Sequence, residues 1–399
     1  LLSTYGGEMT KPYYVDQAVT LYHGDCRKVM ASLTAASVDA IVTDPPYELG
    51  FMGKRWDASG IAYDEDVWAQ AHRVLKPGGH LLAFGGTRTW HRLAVAIEDA
   101  GFEVRDSIAW MYGSGFPKSL DVSKAIDKGA GAERPDRVVS EYGGNAVFSA
   151  TKAPINKGTP VTAAAQQWQG WGTALKPAFE PVVVARKPLD GTVAENVLRH
   201  GTGSLNIDGS RIGTGTGETT TVTLPDICGG KMHAGAERGT VTREITSKGR
   251  WPANVILDES QAAELDRQSG DRPSRGGAAL DNGNNIYQPM PADNDRREIG
   301  YGDIGGASRF FYVPKANSNE RPREGDTAHP TVKPLDLMRY LVKLVTPPGG
   351  TVLEPFAGSG TTLEACVIEG FNVIGIELTE DYLPLIMQRI TKPIEVTLL

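Results

Sequence analysis

Apolar residues recur in two rhythms along the first 115 positions. Positions 19–22 and 37–43 carry short, nearly unbroken apolar runs bounded by polar turns, as buried strands do, and Val29, Met30 and Leu33 between them have the spacing of an amphipathic helix. Helical spacing returns at 66–75 and stops at Lys76-Pro77-Gly78-Gly79, which predicts a strand at 80–84. A helix over 88–100, ended by Gly101, and a strand over 104–111 complete this part. Strands and helices in alternation predict an α/β fold with a parallel-rich sheet.

The pattern then thins. From about 113 to 325 the chain is rich in Gly, Pro, Ser, Thr and Asn. Its short apolar islands at 179–185, 194–198, 251–257 and 310–313 read as short strands or single turns. Connections this long are uncommon in a compact domain unless they carry function, so the span reads as a large irregular insertion, with 208–223 and 276–294 as its most mobile parts. Periodicity resumes near His329. A helix at 335–345, a strand at 351–354, a helix at 361–369, a strand at 371–377 and a last helix at 381–390 predict one βαβ unit. The expected division is 1–115, an insertion at 116–326 whose residues 176–187 return to the core sheet, and 327–399.

Composition narrows the class. The 399 residues are 40% hydrophobic, enough for a sizeable core, and the formal charge is −7. That charge is uneven, because 116–185 holds eight basic and six acidic side chains whereas each other stretch is net acidic. Lys118, Lys124, Lys152 and Lys157 are therefore the candidate phosphate contacts, with a solvated surface as the plainer reading of each. Cys26, Cys228 and Cys366 are too far apart for a CxxC metal half-site and suit a reducing compartment, so neither a metal centre nor a disulfide framework is expected. No apolar run reaches the roughly 18 residues that a membrane span needs, and a cytoplasmic protein of a bacterial or phage-infected cell is expected. Met9 reads as a natural start, with 1–8 an upstream extension or a cloning remnant.

Two motifs carry the chemistry. Thr43-Asp44-Pro45-Pro46-Tyr47 closes the second apolar strand. An exocyclic amino nitrogen is a poor nucleophile because its lone pair is delocalised into the base. Asp44 can accept one amino hydrogen and the Pro45 carbonyl the other, which localises the lone pair. Pro45 and Pro46 stiffen the turn, and Pro45 restricts Asp44 to extended backbone. Tyr47 offers a ring against which an extruded base can stack. A proline turn at a strand end is the bland alternative.

Near the other end, Glu354-Pro355-Phe356-Ala357-Gly358-Ser359-Gly360-Thr361-Thr362 joins a strand to a helix. Glycines there let backbone approach a ligand, and the helix start offers unpaired N–H groups. Leu363 stands where a dinucleotide fingerprint has its third glycine, and no Gly-Lys-Ser/Thr ending of a P-loop follows. Glu377, at the end of the next strand, is placed to accept ribose hydroxyls. Together the loop and the acid indicate a nucleoside cofactor. Carbon-5 chemistry on cytosine is disfavoured, since Cys26 follows Gly24-Asp25 and not a proline.

With these motifs, together with Gly24-Asp25-Cys26, Leu75 to Gly79, His329-Pro330-Thr331-Val332-Lys333-Pro334 and Ile376-Glu377, the chain resembles the β group of S-adenosylmethionine-dependent DNA amino-methyltransferases. The segments 50–54 and 308–312 also look like those of its phage-borne and mobile-element members. The resemblance implies a Rossmann-like methyltransferase sheet with circularly permuted motif order, the catalytic half first and the cofactor half last, and a target-recognition region within the insertion at 116–326. It implies that Asp44, Pro45, Pro46 and Tyr47 hold the target amine, with Asp44 also beside the cofactor. Phe356 to Gly360 would wrap the methionine part of S-adenosylmethionine, flanked by Glu354, Pro355, Thr361 and Thr362, with Glu377 at its ribose. Asp25, or the backbone beside it at Cys26, is implied at the adenine ring, and Thr331 and Lys333 near the cofactor carboxylate. The implied activity is site-specific methylation of a flipped base in double-stranded DNA, adenine N6 before cytosine N4, by direct transfer and without a metal. RNA or protein amino groups, and a DNA-binding protein without activity, are the alternatives. The implied setting is restriction–modification, any nuclease being a separate chain, with the enzyme a monomer or homodimer.

Overall fold

A computed structural model describes residues 11–50, 55–134, 158–213, 219–225, 240–246, 249–273, 303–315, 322–324, 327–329 and 331–392. The segments 51–54 and 276–294 and the side chains of Lys152 and Lys157 lie outside this set. In chain order the strands are β1 (Tyr14–Val15), β2 (Val19–His23), β3 (Val38–Thr43), β4 (Leu75–Phe84), β5 (Glu103–Met111), β6 (Phe179–Arg186), β7 (Thr219–Pro225), β8 (Thr240–Thr246), β9 (Val255–Leu257), β10 (Arg272–Pro273), β11 (Ile304–Gly305), β12 (Arg323–Glu324), β13 (Thr327–Ala328), β14 (Thr351–Glu354) and β15 (Asn372–Glu377). The helices are α1 (Cys26–Ser32), α2 (Glu65–Val74), α3 (Trp90–Asp99), α4 (Val122–Gly129), α5 (Ala163–Gln167), α6 (Val193–His200), α7 (Glu259–Ser269), α8 (Leu335–Val345), α9 (Thr361–Glu369) and α10 (Leu383–Ile390).

Nine strands form one sheet in the order β1-β2-β15-β14-β3-β4-β6-β5-β9. From β2 to β4 every pairing is parallel, while β6 runs antiparallel to both β4 and β5. This is the α/β architecture that the alternation of elements predicts. Strands β3 and β14 are buried on both faces, which explains why Ala40-Ile41-Val42 and Val352-Leu353 do not alternate with polar residues. Odd positions such as Ile41, Leu81 and Leu353 meet α1, α2 and α3, whereas even positions such as Val42, Leu82 and Val352 meet α8, α9 and α10.

The permuted motif order is resolved in the middle of this sheet. Val352 and Leu353 of β14 pair in parallel with Ala40 and Ile41 of β3, so strands from opposite ends of the chain lie side by side. Both run their C-terminal ends to the same edge, where Asp44 follows one and Pro355 the other. Parallel α/β sheets bind ligands at that edge.

Several elements differ from the sequence expectation. Lys76 to Gly79 do not separate helix from strand, because β4 begins at Leu75. Gly79 C=O accepts from Lys187 N–H at 2.9 Å and Gly78 N–H donates to the Lys187 carbonyl at 3.1 Å, so the segment is held as strand, with a register shift opposite Val38 and Ala40. A Cβ on Gly79 would lie 2.9 Å from the Asp39 carbonyl oxygen, which is why glycine stands there. The 194–198 island is neither strand nor single turn but part of α6, started by a Thr192/Glu195 capping box and ended by Gly201 at φ 75°. Helix α7, capped by Asp258, falls in a stretch with no helical expectation. At 310–313 only Tyr312 bridges, to Ile256.

The contacts divide the chain into two compact units, Leu1–Gly113 with Phe179–Leu399, and Ser114–Ala178. Of the span 116–326, β6 and β9 thus lie in the main sheet. Within Ser114–Ala178, α4 and α5 are joined through polar groups. Buried Asp127 accepts from Thr162 N–H at 3.0 Å, Thr162 Oγ1 at 2.7 Å, Val161 N–H at 3.1 Å and Arg134 at 2.7 Å. Burial raises its pKa, but these hydrogen bonds outweigh that and leave it lowered. Lys118 and Lys124 are exposed on this unit.

Candidate active site

A cavity of about 590 Å³ opens at the C-terminal edge of β2, β15, β14 and β3. Its lining includes Asp25, Cys26, Asp44 to Tyr47, Thr331, Lys333, Glu354 to Ser359, Thr361, Thr362 and Glu377, so the structure brings together both motifs. Gly360, also expected there, instead turns the loop into α9 at φ 84° beside Ile386.

Glu354 fixes the junction of the halves. Its Oε1 accepts from Thr43 Oγ1 at 2.5 Å and from Phe356 N–H at 3.0 Å, and its Oε2 accepts from Thr362 Oγ1 at 2.7 Å. Burial pushes its pKa up to about 8, the hydrogen bonds only partly opposing. Glu377 ties the loop to the next strand, accepting from Gly358 N–H and Thr379 N–H at 2.7 Å each, and burial raises its pKa too. Each carboxylate oxygen keeps acceptor capacity for a further donor. Asp25 caps α1 through Arg27 N–H at 2.9 Å, and Arg27 links it to Asp64 at 3.0 Å. Cys26 is a buried thiol whose pKa burial raises to about 12.

At the other end of the cavity Lys333, 8% exposed, donates to Asp44 Oδ2 at 2.6 Å and to Tyr47 Oη at 3.0 Å. Asp44 Oδ1 is buried with no hydrogen-bond partner. Tyr47 Oη in turn donates to Glu180 Oε2 at 2.8 Å, and Glu180 lies 3.3 Å from the Lys333 ammonium. Burial would depress the Lys333 pKa, but the two carboxylates outweigh it and leave it raised. Burial, with the same carboxylates, holds the Tyr47 phenol well above its usual range. The Tyr47 carbonyl accepts from Thr89 Oγ1 at 2.9 Å, anchoring the turn to the start of α3.

Glu180 is the member that sequence reasoning did not select. It is the second residue of the apolar island that becomes β6, and a lone acid beside a buried run was the available signal. His329 and Tyr382 also line the cavity, edge to face at 4.7 Å. A Cβ on Gly358, at φ 53°, would lie 3.2 Å from the His329 ring, so this glycine allows the close approach. Among the described residues no cluster of His, Cys, Asp or Glu could hold a metal, and no helix is long and apolar enough to cross a membrane.

Residues 38–388 match the family described as DNA methylase, of the N6/N4 type. Among curated proteins the chain is similar to the type II methyltransferase M.HindIII of Haemophilus influenzae, 24% identical over 308 residues, which are 76% of this chain and 60% of that protein. It is also similar to the DNA adenine methyltransferase YhdJ of Escherichia coli, 39% identical over 107 residues, 25% of this chain and 35% of that one. The matches thus span less than two thirds of these relatives. Among solved structures, the cytosine-N4-specific PvuII DNA methyltransferase aligns at 12% identity with a TM-score of 0.46, covering 97% of this chain and 91% of that one.

Proposed function

The chain belongs to the N6/N4 DNA methylase family, and on that footing we propose that it methylates an exocyclic amino group of a base in double-stranded DNA, adenine N6, with S-adenosylmethionine as cofactor. The observation that carries this reading is the buried, unpartnered Asp44 Oδ1 at one end of a cavity whose other walls are a glycine loop and Glu377.

The residues present fit that cofactor. The cavity has the size of a small-molecule site. Gly358 and Ser359 bring backbone to its wall, Glu377 stands one strand away, and Gly24 and Asp25 close the end beyond it. When bound there, S-adenosylmethionine supplies the electrophilic methyl group. The chain's own groups do the rest. Asp44 Oδ1 and the Pro45 carbonyl accept the two amino hydrogens, turning the lone pair out of conjugation. Lys333 holds the other Asp44 oxygen and so fixes the carboxylate plane. Tyr47, restrained by Glu180 and Lys333, presents its ring to the extruded base. Positioning and preorganised electrostatics supply the acceleration, and no covalent enzyme intermediate is required.

By the family resemblance, the Asp-Pro-Pro-Tyr start favours adenine over cytosine, the second reading. The exposed Lys118 and Lys124 would meet DNA phosphates. Transfer of labelled methyl to unmethylated duplex DNA, followed by separation of the modified bases, tests the reading. N6-methyladenine is expected; N4-methylcytosine would move the assignment to the second reading, and label entering RNA alone would overturn it.

A further inference from the structure

The described residues of Ser114–Ala178 bury polar groups and leave large apolar ones exposed. Among these residues only small apolar side chains, Ala165 and Pro160, are buried, while the interior is the Asp127 network with Ser123 and Arg134. Several large apolar groups among them face water: Phe116 is 76% exposed, Trp171 60% and Leu175 92%, with Trp168 and Leu120 also exposed. Such groups on one small unit mark a contact surface. Trp168 and Trp171 sit edge to face at 5.0 Å.

A lysine-bearing segment pairs with the chain at Trp171. Val122 N–H donates to the Trp171 carbonyl at 3.2 Å, Asp121 bridges Gly172, and Leu120 N–H donates to Thr173 Oγ1 at 3.0 Å. The strand-like segment carrying Lys118 therefore runs alongside Trp171, and Lys124 follows in the first turn of α4. Lys118, Lys124, Lys128 and Lys176 are all exposed. Of the unit's described acids, Asp127 is buried in its network and Asp121 caps α4 through Lys124 N–H at 3.0 Å, which leaves Glu133 as the other exposed acid. Exposed positive side chains on a segment that runs beside exposed indoles match a polyanion that offers flat π faces.

We infer that the face of this unit carrying Trp171, Lys118 and Lys124 is a DNA-contact surface, with Trp171, backed by Trp168, packing on a base or base step and Lys118 and Lys124 on the flanking phosphates. The inference rests on the DNA-substrate reading above and adds to it an aromatic contact that charge alone does not provide.

Binding of the full chain to a fluorescent unmethylated duplex, titrated with salt, tests it. Trp171→Ala should weaken binding about tenfold or more, as loss of one aromatic stack on a base does, while Trp171→Phe keeps most of the affinity and cofactor affinity stays unchanged in both. The Lys118→Gln/Lys124→Gln double variant should make the slope of log K against log salt shallower by about 2. Wild-type affinity in Trp171→Ala with an unchanged slope in the lysine variant overturns the inference. So does a Trp171→Ala variant that changes sedimentation mass but not DNA affinity, since the surface would then join two copies. DNA held through Trp171 but never methylated supports the surface and refutes the methylation reading; methylation with Trp171-independent binding does the reverse.

Discussion

Lys333 reaches across 289 positions of sequence to donate a 2.6 Å hydrogen bond to Asp44. The pair joins the turn after β3 to the segment before α8, and its geometry sets which Asp44 oxygen stays available. An ammonium this buried survives because two carboxylates face it, the second being Glu180 at 3.3 Å.

Asp44→Ala is expected to lower methyl transfer by at least about 100-fold, the scale of removing a preorganised polar contact at a reacting centre. Cofactor affinity should be retained, because Glu377 and the glycine loop are untouched. Single-turnover transfer and equilibrium dialysis of the cofactor measure the two; unchanged turnover would refute the role given to Asp44.

Glu180→Gln keeps an acceptor for Tyr47 but removes the second negative charge beside Lys333. Turnover should fall about tenfold, the scale of one hydrogen bond to a charged group. The KM for the cofactor should hold, since Glu180 makes no hydrogen bond to the glycine loop. Steady-state kinetics reads the split, and a change confined to the cofactor KM would rule this role out.

Glu354 makes stability pH-dependent. Its pKa is about 8 in the fold against 4.5 for an ordinary glutamate, so the folded chain holds this proton more tightly than the unfolded one. Its contribution is full below the ordinary glutamate range and is lost as pH rises through about 8. Each tenfold gain in proton affinity is worth about 1.4 kcal/mol, so the loss is on the order of a few kcal/mol. Thermal unfolding followed from mildly acidic to mildly basic pH should show a larger fall in Tm for the wild type than for Glu354→Gln. Parallel curves would contradict the assignment.

Gly360→Ala places a Cβ 3.1 Å from the Ile386 Cα at a φ of 84°. Left-handed backbone costs a residue with a side chain about 1–2 kcal/mol, and a neighbouring main chain cannot rotate away as a side chain can. Urea unfolding should register at least that loss. Wild-type stability would show that the loop relaxes.

The sequence made most of the site legible because strand ends, proline turns and glycine loops are local signals, and Asp44, Glu354 and Glu377 each close an apolar run. It did not single out Glu180, whose meaning depends on β6 running antiparallel to β4, so that its first residues reach the edge where Tyr47 lies. Nor did it show that Lys76 to Gly79 continue a strand, because Lys187, the partner that holds them, is more than a hundred positions away. The capping box of α6 was visible as Thr192 and Glu195, but the glycine-rich surroundings hid it. Local chemistry announces itself in order along the chain, whereas partnership between distant segments does not.

The parallel contact of β3 with β14, sealed by the hydrogen bond from Thr43 to Glu354 over 311 positions, also bears on timing. Contacts between segments so far apart in sequence meet the loop-closure cost before any gain, which slows folding. During synthesis the Asp44 turn leaves the ribosome long before β14, α9 and β15 exist to wall the cavity. A chain halted anywhere before Glu377 thus carries the Asp44 turn before the strands and helix that complete the wall of the cavity are all in place.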